Sequence, residues 1–170
     1  MKEAEYLSLI NTNQARLERI CRFYCRDGED QKDLMQEIVF QIWRSRERYR
    51  GDAKLNTWLY RIAINTALAY LRKQKKDRWQ GLDDKEKLLS TIENPAKILE
   101  NQDRINHLMG AIKELKKLDQ TVILLYLEEL SYQEIAQVTG LSETNVGAKL
   151  SRIKKKISQK LSQRTGHELG

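Results

Sequence analysis

From Tyr132 to Val146 the chain runs Tyr-Gln-Glu-Ile-Ala-Gln-Val-Thr-Gly-Leu-Ser-Glu-Thr-Asn-Val, and few backbones accommodate that order of residues. Ala136 is small where two helices must cross closely, and Gly140 takes the positive φ of a tight turn at little cost. Ile135, Leu141, Val146 and Leu150 are spaced to fill the wedge between the helices. Ser142 is a good N-cap for the second helix, although Asn145 stands where a glutamate would complete a capping box. The segment predicts a helix-turn-helix. The remainder agrees with an all-α chain: among 170 residues there are one proline and eight glycines, too few to punctuate a strand-and-turn fold.

Helical periodicity divides the chain into two small domains joined by a flexible acidic linker. Leu7, Ile10, Leu17, Ile20 and Phe23 predict a first helix, with a break or cap at Asn11-Thr12-Asn13, and Asp27 to Asp30 marks a turn. A second helix is expected from Asp30 or Asp33, with Leu34, Ile38 and Ile42 as its apolar stripe and Met35, Val39 and Trp43 widening it. A third runs from about Asn56 to Lys73, offering Trp58, Leu59, Ile62, Ala63, Ala67 and Leu71 to a core, and ends in the basic cluster Arg72 to Lys76. Residues 1–77 form the first domain. Residues 78–101 form the linker, where apolar periodicity weakens, the only proline (Pro95) falls, and Asp83, Asp84, Glu86, Glu93 and Glu100 gather. Residues 102–165 form the second domain: one amphipathic helix through Ile105, Leu108, Ile112, Leu115 and Leu118, another over Val122–Leu130, then the helix-turn-helix.

A net charge of +7 favours a polyanionic partner, and position sharpens that inference. After Ser142 the helix carries Lys149, Arg152, Lys154, Lys155, Lys156 and Lys160 around the inward stripe Leu150, Ile153 and Ile157. Early residues of a recognition helix meet base edges, here Glu143, Thr144, Asn145, Ala148 and Lys149, while later lysines suit phosphates. A basic face joined to a complete turn pattern points to DNA. An enzyme is not expected: there is no glycine-rich phosphate loop, no His-Cys metal spacing and no nucleophile beside a credible base, so no catalytic residue, metal or cofactor is assigned. Cys21 and Cys25, four apart on one helix, are expected to be buried thiols. No signal peptide or apolar run of about 18 residues is present, so a cytoplasmic protein without membrane insertion is expected.

Across nearly its whole length the chain resembles the extracytoplasmic-function group of the sigma-70 family of RNA polymerase sigma factors. The resemblance is carried by Asp33-Leu34-Met35-Gln36-Glu37 with Trp43-Arg44, by Asn56-Thr57-Trp58-Leu59-Tyr60-Arg61-Ile62-Ala63-Ile64-Asn65, and by Leu130 through Ile157. It implies an alternative sigma factor that binds core RNA polymerase and directs promoter recognition and melting. Asp33, Gln36, Glu37 and Arg44 would dock on the clamp coiled coil of core polymerase. Ser45, Tyr49, Ile62 and Asn65 would hold a flipped base of the minus-ten element, with Arg72, Lys73, Lys75 and Lys76 on neighbouring phosphates. Thr144, Asn145, Lys149, Arg152, Lys154, Lys155 and Lys156 would contact the minus-35 element. The linker would thread between the two DNA sites, and an anti-sigma factor could restrain the protein. One departure is Gly147, where family members commonly place an arginine. Two other readings stay open: a dimeric helix-turn-helix regulator, which leaves the N-terminal motifs unused, and a sigma-like protein that binds polymerase without starting transcription.

Overall fold

The computed structural model describes residues 1–80 and 100–168. Among them are seven α-helices, one 3-10 turn and no strand, in two compact units: α1 to α3 in the first, α4 to α7 in the second. The expected linker acids Asp83, Asp84, Glu86 and Glu93, with Pro95, lie outside the described residues.

In the first unit, α1 (Glu3–Tyr24) is unbroken. Asn13 does not interrupt it, because its buried amide donates to the Leu9 carbonyl one turn back (2.9 Å). The inward face also starts one residue away from the expected phase: Tyr6 and Leu9 are buried, whereas Leu7 is half exposed. Tyr6 explains the shift. Its ring packs edge-on against Trp43 at 4.9 Å and its hydroxyl donates to the Val39 carbonyl, so an aromatic residue with a satisfied polar tip takes the inward position.

Helix α2 (Gly28–Ser45) begins two residues before Asp30, because Gln31 folds back to donate to the Cys25 carbonyl and closes the turn early. Leu34, Ile38 and Ile42 are fully buried. Acids Glu29 and Asp30 lie in its first turn and Arg44 in its last, matching the helix dipole. Arg46 ends the helix by donating to the Trp43 carbonyl (2.8 Å) while its guanidinium stacks 3.6 Å over the Trp43 ring.

Helix α3 (Leu55–Gln80) runs a full turn and more past Lys73, since Gln74 to Gln80 contain neither glycine nor proline. Its buried residues are Thr57, Leu59, Tyr60, Ala63, Ile64 and Ala67; Trp58, Ile62 and Leu71 are only half buried. Tyr70 ties α3 to the start of α2 by donating to Asp30 (3.3 Å), and burial together with that carboxylate pushes its phenol up to about 12. Cys21 and Cys25 are free, buried thiols, each pushed up to about 11 by burial first and by neighbouring negative charge second.

In the second unit, the helix expected from Ile105 through Leu118 is two elements, α4 (Glu100–Lys113) and α5 (Lys117–Leu127). The break holds because Gln120 donates to the carbonyls of both Lys113 (3.0 Å) and Leu115 (2.8 Å), satisfying the last acceptor of α4 and one in the turn that follows it. Leu118 is consequently exposed. Helix α5 is the centre of the unit, with Thr121 to Leu125 all buried. It ends with Glu129 in the left-handed region (φ 65°), the Glu129 amide donating to Tyr126 and the Leu130 amide to Leu125.

Helix α6 (Tyr132–Thr139) opens on a reciprocal capping box: Ser131 accepts from the Glu134 amide, and the Glu134 carboxylate accepts from the Ser131 amide. Gly140 has φ 79°, as the turn requires, and the Ser142 hydroxyl accepts from the Asn145 amide (3.1 Å) at the start of α7 (Glu143–Glu168). Ile135, Val138, Val146, Leu150, Ile153 and Ile157 fill the wedge, and Leu141 lies half buried beside them.

Candidate nucleic-acid interface

Helix α7 has an inward stripe at Val146, Leu150, Ile153 and Ile157. At about 100° per residue the opposite arc carries Thr144, Ala148, Ser151, Arg152 and Lys155, with Asn145 at its edge, and all are exposed. This arc can enter a groove. Short polar side chains lie near the N-terminus, where base edges are met, and cations lie further along, where phosphates run.

The flanks of α7 are committed inside the unit. Lys149 donates to Asp119 in the first turn of α5 at 2.9 Å, both side chains being largely covered. Lys154 donates to the Tyr126 hydroxyl (3.1 Å) and stands 4.2 Å over that ring; the hydrogen bond raises the pKa of the ammonium. Lys160 and Arg164 both pair with Glu114, whose carboxyl is held below its ordinary range by the Lys160 hydrogen bond and charge. Of the seven residues that sequence assigned to the minus-35 element, the structure therefore presents Thr144, Asn145, Arg152, Lys155 and Lys156 outward and draws Lys149 and Lys154 towards α5. At Gly147 an added Cβ would stand 3.4 Å from the Tyr132 ring, an ordinary contact, so packing does not demand glycine there.

In the first unit, Asp33, Gln36, Glu37 and Arg44 are exposed on the face of α2 opposite its buried stripe. Gln41 donates to Glu37 across one turn (2.7 Å). Sequence reasoning missed Phe40, which is 51% exposed on this polar face with the Arg44 guanidinium 5.8 Å from its ring centre. The signal was available: Phe40 is four residues from both Gln36 and Arg44, out of phase with the Leu34 stripe. An exposed aromatic ring amid charge has the chemistry of an interface anchor.

Ser45 closes α2, and Tyr49 follows the 3-10 turn Arg46–Arg48. The Tyr49 hydroxyl donates to the Ala53 carbonyl (2.8 Å) and its ring meets Trp58 at 5.1 Å. Trp58, Ile62 and Asn65 succeed one another on one face of α3, so the loop sets the Tyr49 ring against Trp58, with a half-buried isoleucine one turn on and an exposed amide a turn further. Ser45 lies at the other end of the 3-10 turn. Arg72, Lys73, Lys75 and Lys76 are exposed within α3 rather than after it; Arg72 and Lys76 continue the line of Asn65 along the helix.

Comparison with known proteins gives one answer along the chain. Residues 9–77 match the family described as Sigma-70 region 2, and residues 106–157 match Sigma-70, region 4. The chain is 30% identical to RNA polymerase sigma factor SigV of Bacillus subtilis (strain 168) over 162 residues, 95% of this chain and 93% of that one. It is also 30% identical to the ECF RNA polymerase sigma-E factor of Escherichia coli (strain K12), over 78% of this chain and 74% of that one. Among solved structures, the fold is similar to CnrH in complex with the cytosolic domain of CnrY (TM-score 0.69, 18% identity, 95% of this chain and 90% of that one). It is similar also to the sigma factor RpoE in complex with the anti-sigma factor NepR from Bartonella quintana (TM-score 0.72, 16% identity, 93% and 97%).

Proposed function

Because this chain belongs to the sigma-70 family, as an alternative sigma factor of the extracytoplasmic-function group that directs transcription initiation, we propose how its residues divide that work. The α2 face of Asp33, Gln36, Glu37, Phe40 and Arg44 docks on core RNA polymerase. The ring of Phe40 gives the apolar anchor, and the charges around it set orientation. Tyr49, Ile62 and Asn65, with Ser45 at the margin, hold an unstacked base of the minus-ten element: the rings and the isoleucine form walls and the amide reads an edge. Arg72, Lys73, Lys75 and Lys76 grip phosphates along α3. In the second unit, Thr144, Asn145 and Arg152 read the minus-35 element in the major groove, and Lys155 and Lys156 hold phosphates.

The observation that carries this reading is the exposed outward arc of α7, from Thr144 to Lys155, behind a capped turn, in a chain whose other unit exposes an aromatic ring among the charges of α2. On this reading residues 78–101 link domains spanning 1–77 and 102–165. The protein acts by binding alone, with the bond-making left to polymerase, and works in the cytoplasm. No helix among the described residues is long and apolar enough to cross a membrane. An anti-sigma factor is a further partner on this reading, supported by the similar fold of the sigma factor RpoE solved in complex with one.

Run-off transcription with purified core polymerase tests the whole. Core plus this chain is expected to start at one defined position on a cognate promoter, and the chain alone is expected not to shift the same fragment. A strong shift without core would instead favour an autonomous regulator, and core binding without a start site would favour an interaction protein.

A further inference from the structure

Asp119 stands in the first turn of α5, away from the outward arc of α7, and is 8% exposed. A carboxylate so far removed from water is destabilising unless it is paired. Its partner is Lys149, thirty residues on, in the second turn of α7, at 2.9 Å. Lys149 lies about 40° around the helix from Asn145, so its Cα stands at the shoulder of the outward arc while its head group is held on Asp119. The Val146, Leu150, Ile153 and Ile157 stripe decides which side of α7 faces inward, but apolar packing is non-directional and leaves some freedom of rotation about the helix axis. An ion pair between two largely covered side chains removes that freedom.

We propose that Asp119 is a positioning residue for minus-35 recognition, acting through Lys149 to set the rotation at which Thr144, Asn145 and Arg152 meet the groove. Lys149 on this account is a strut and not a DNA contact. The inference rests on the reading of α7 as the minus-35 helix. Asp119→Asn leaves the outward arc chemically intact, and Lys149→Met keeps most of the lysine's stem.

The test uses holoenzyme reconstituted from core polymerase and the full chain. Promoter fragments are taken from mapped transcript starts, each with its minus-35 element intact or scrambled. The quantity read is the ratio of run-off product from the two fragments, in which any loss of active protein cancels. Asp119→Asn and Lys149→Met are each expected to lower this ratio by about fivefold, and the double variant to be no worse than either, because both remove one strut. The salt dependence of binding is expected to keep its slope in Lys149→Met, whereas loss of a direct phosphate contact would lower it by about 0.9. The proposal is overturned if Asp119→Asn discriminates like the unaltered chain, if the two losses add, or if the slope falls. If neither single variant forms holoenzyme, the exchanged pair D119K/K149D decides: recovery of the ratio supports the strut, and failure to recover overturns it. An unaltered chain that does not discriminate between the fragments would defeat the minus-35 reading itself, a different result from a discriminating chain indifferent to Asp119.

Discussion

Gly147 is the position where helix stability and DNA reading can be separated. It lies inside α7, one residue beyond the buried Val146, and its φ is not among the positive ones, so alanine suits the backbone. An added Cβ would come no closer than 3.4 Å to the Tyr132 ring, which is contact without overlap. Replacing glycine by alanine in a helix interior is worth about 0.8–1 kcal/mol. For a unit of this size that corresponds to a rise in Tm of about 4–8 °C. All three tryptophans, Trp43, Trp58 and Trp79, belong to the first unit's sequence, so tryptophan fluorescence follows that unit while circular dichroism at the helix band follows both. In Gly147→Ala the dichroism transition of the second unit is expected to move up and the fluorescence transition to stay. A fall in stability would mean that Tyr132 cannot accept a methyl group, and the account of this contact would be wrong. Run-off from intact and scrambled minus-35 fragments then shows whether the bare backbone serves recognition: a more stable protein that discriminates less well locates the role of Gly147 in close approach to DNA.

Three further outcomes are expected. Glu129→Gly relieves the left-handed backbone at the end of α5 and should stabilise the second unit by about 0.5–1 kcal/mol in chemical denaturation. Cys21 and Cys25 have thiol pKa values raised in the folded state to about 11 from 9.0, so their contribution is fully present below pH 9 and is lost as pH rises towards 11. Native protein at pH 8 should therefore react with a thiol reagent far more slowly than unfolded protein, and equal rates would contradict the burial of these groups. Phe40→Ala, at a half-exposed position, should leave melting unchanged while weakening the complex with core polymerase by about tenfold or more in a fluorescence-anisotropy titration; unchanged affinity would remove Phe40 from the docking face.

The parts of this fold that were legible in the sequence are those set by local pattern. Leu34, Ile38 and Ile42 share one phase, Gly140 supplies the one positive φ in its turn, and Val146 to Ile157 trace a stripe that the structure buries. The structure departs from the local pattern where a side chain outside it decides the outcome. Gln120 catches the last carbonyl of α4 and one in the turn beyond it, and nothing near Glu114 announces a break. Tyr6 displaced Leu7 because its hydroxyl finds Val39 on another helix. At the candidate interface, lysines look alike in sequence. Lys149 and Lys156, seven residues apart and nearly in phase on α7, differ through Asp119, thirty residues from Lys149, and such pairings between helices leave no periodic trace. Phe40 is visible in the sequence as an apolar residue out of phase with Leu34, Ile38 and Ile42.

The central claim is that each helical unit reads its own promoter element once both are held by polymerase. The direct measurement is competitive transcription by holoenzymes carrying Asn65→Ala or Asn145→Ala, on promoters altered at the minus-ten or the minus-35 element alone. The account predicts that the Asn65 variant loses discrimination at the minus-ten element only and the Asn145 variant at the minus-35 element only. Equal loss at both elements from either variant, or no loss from both, would contradict it.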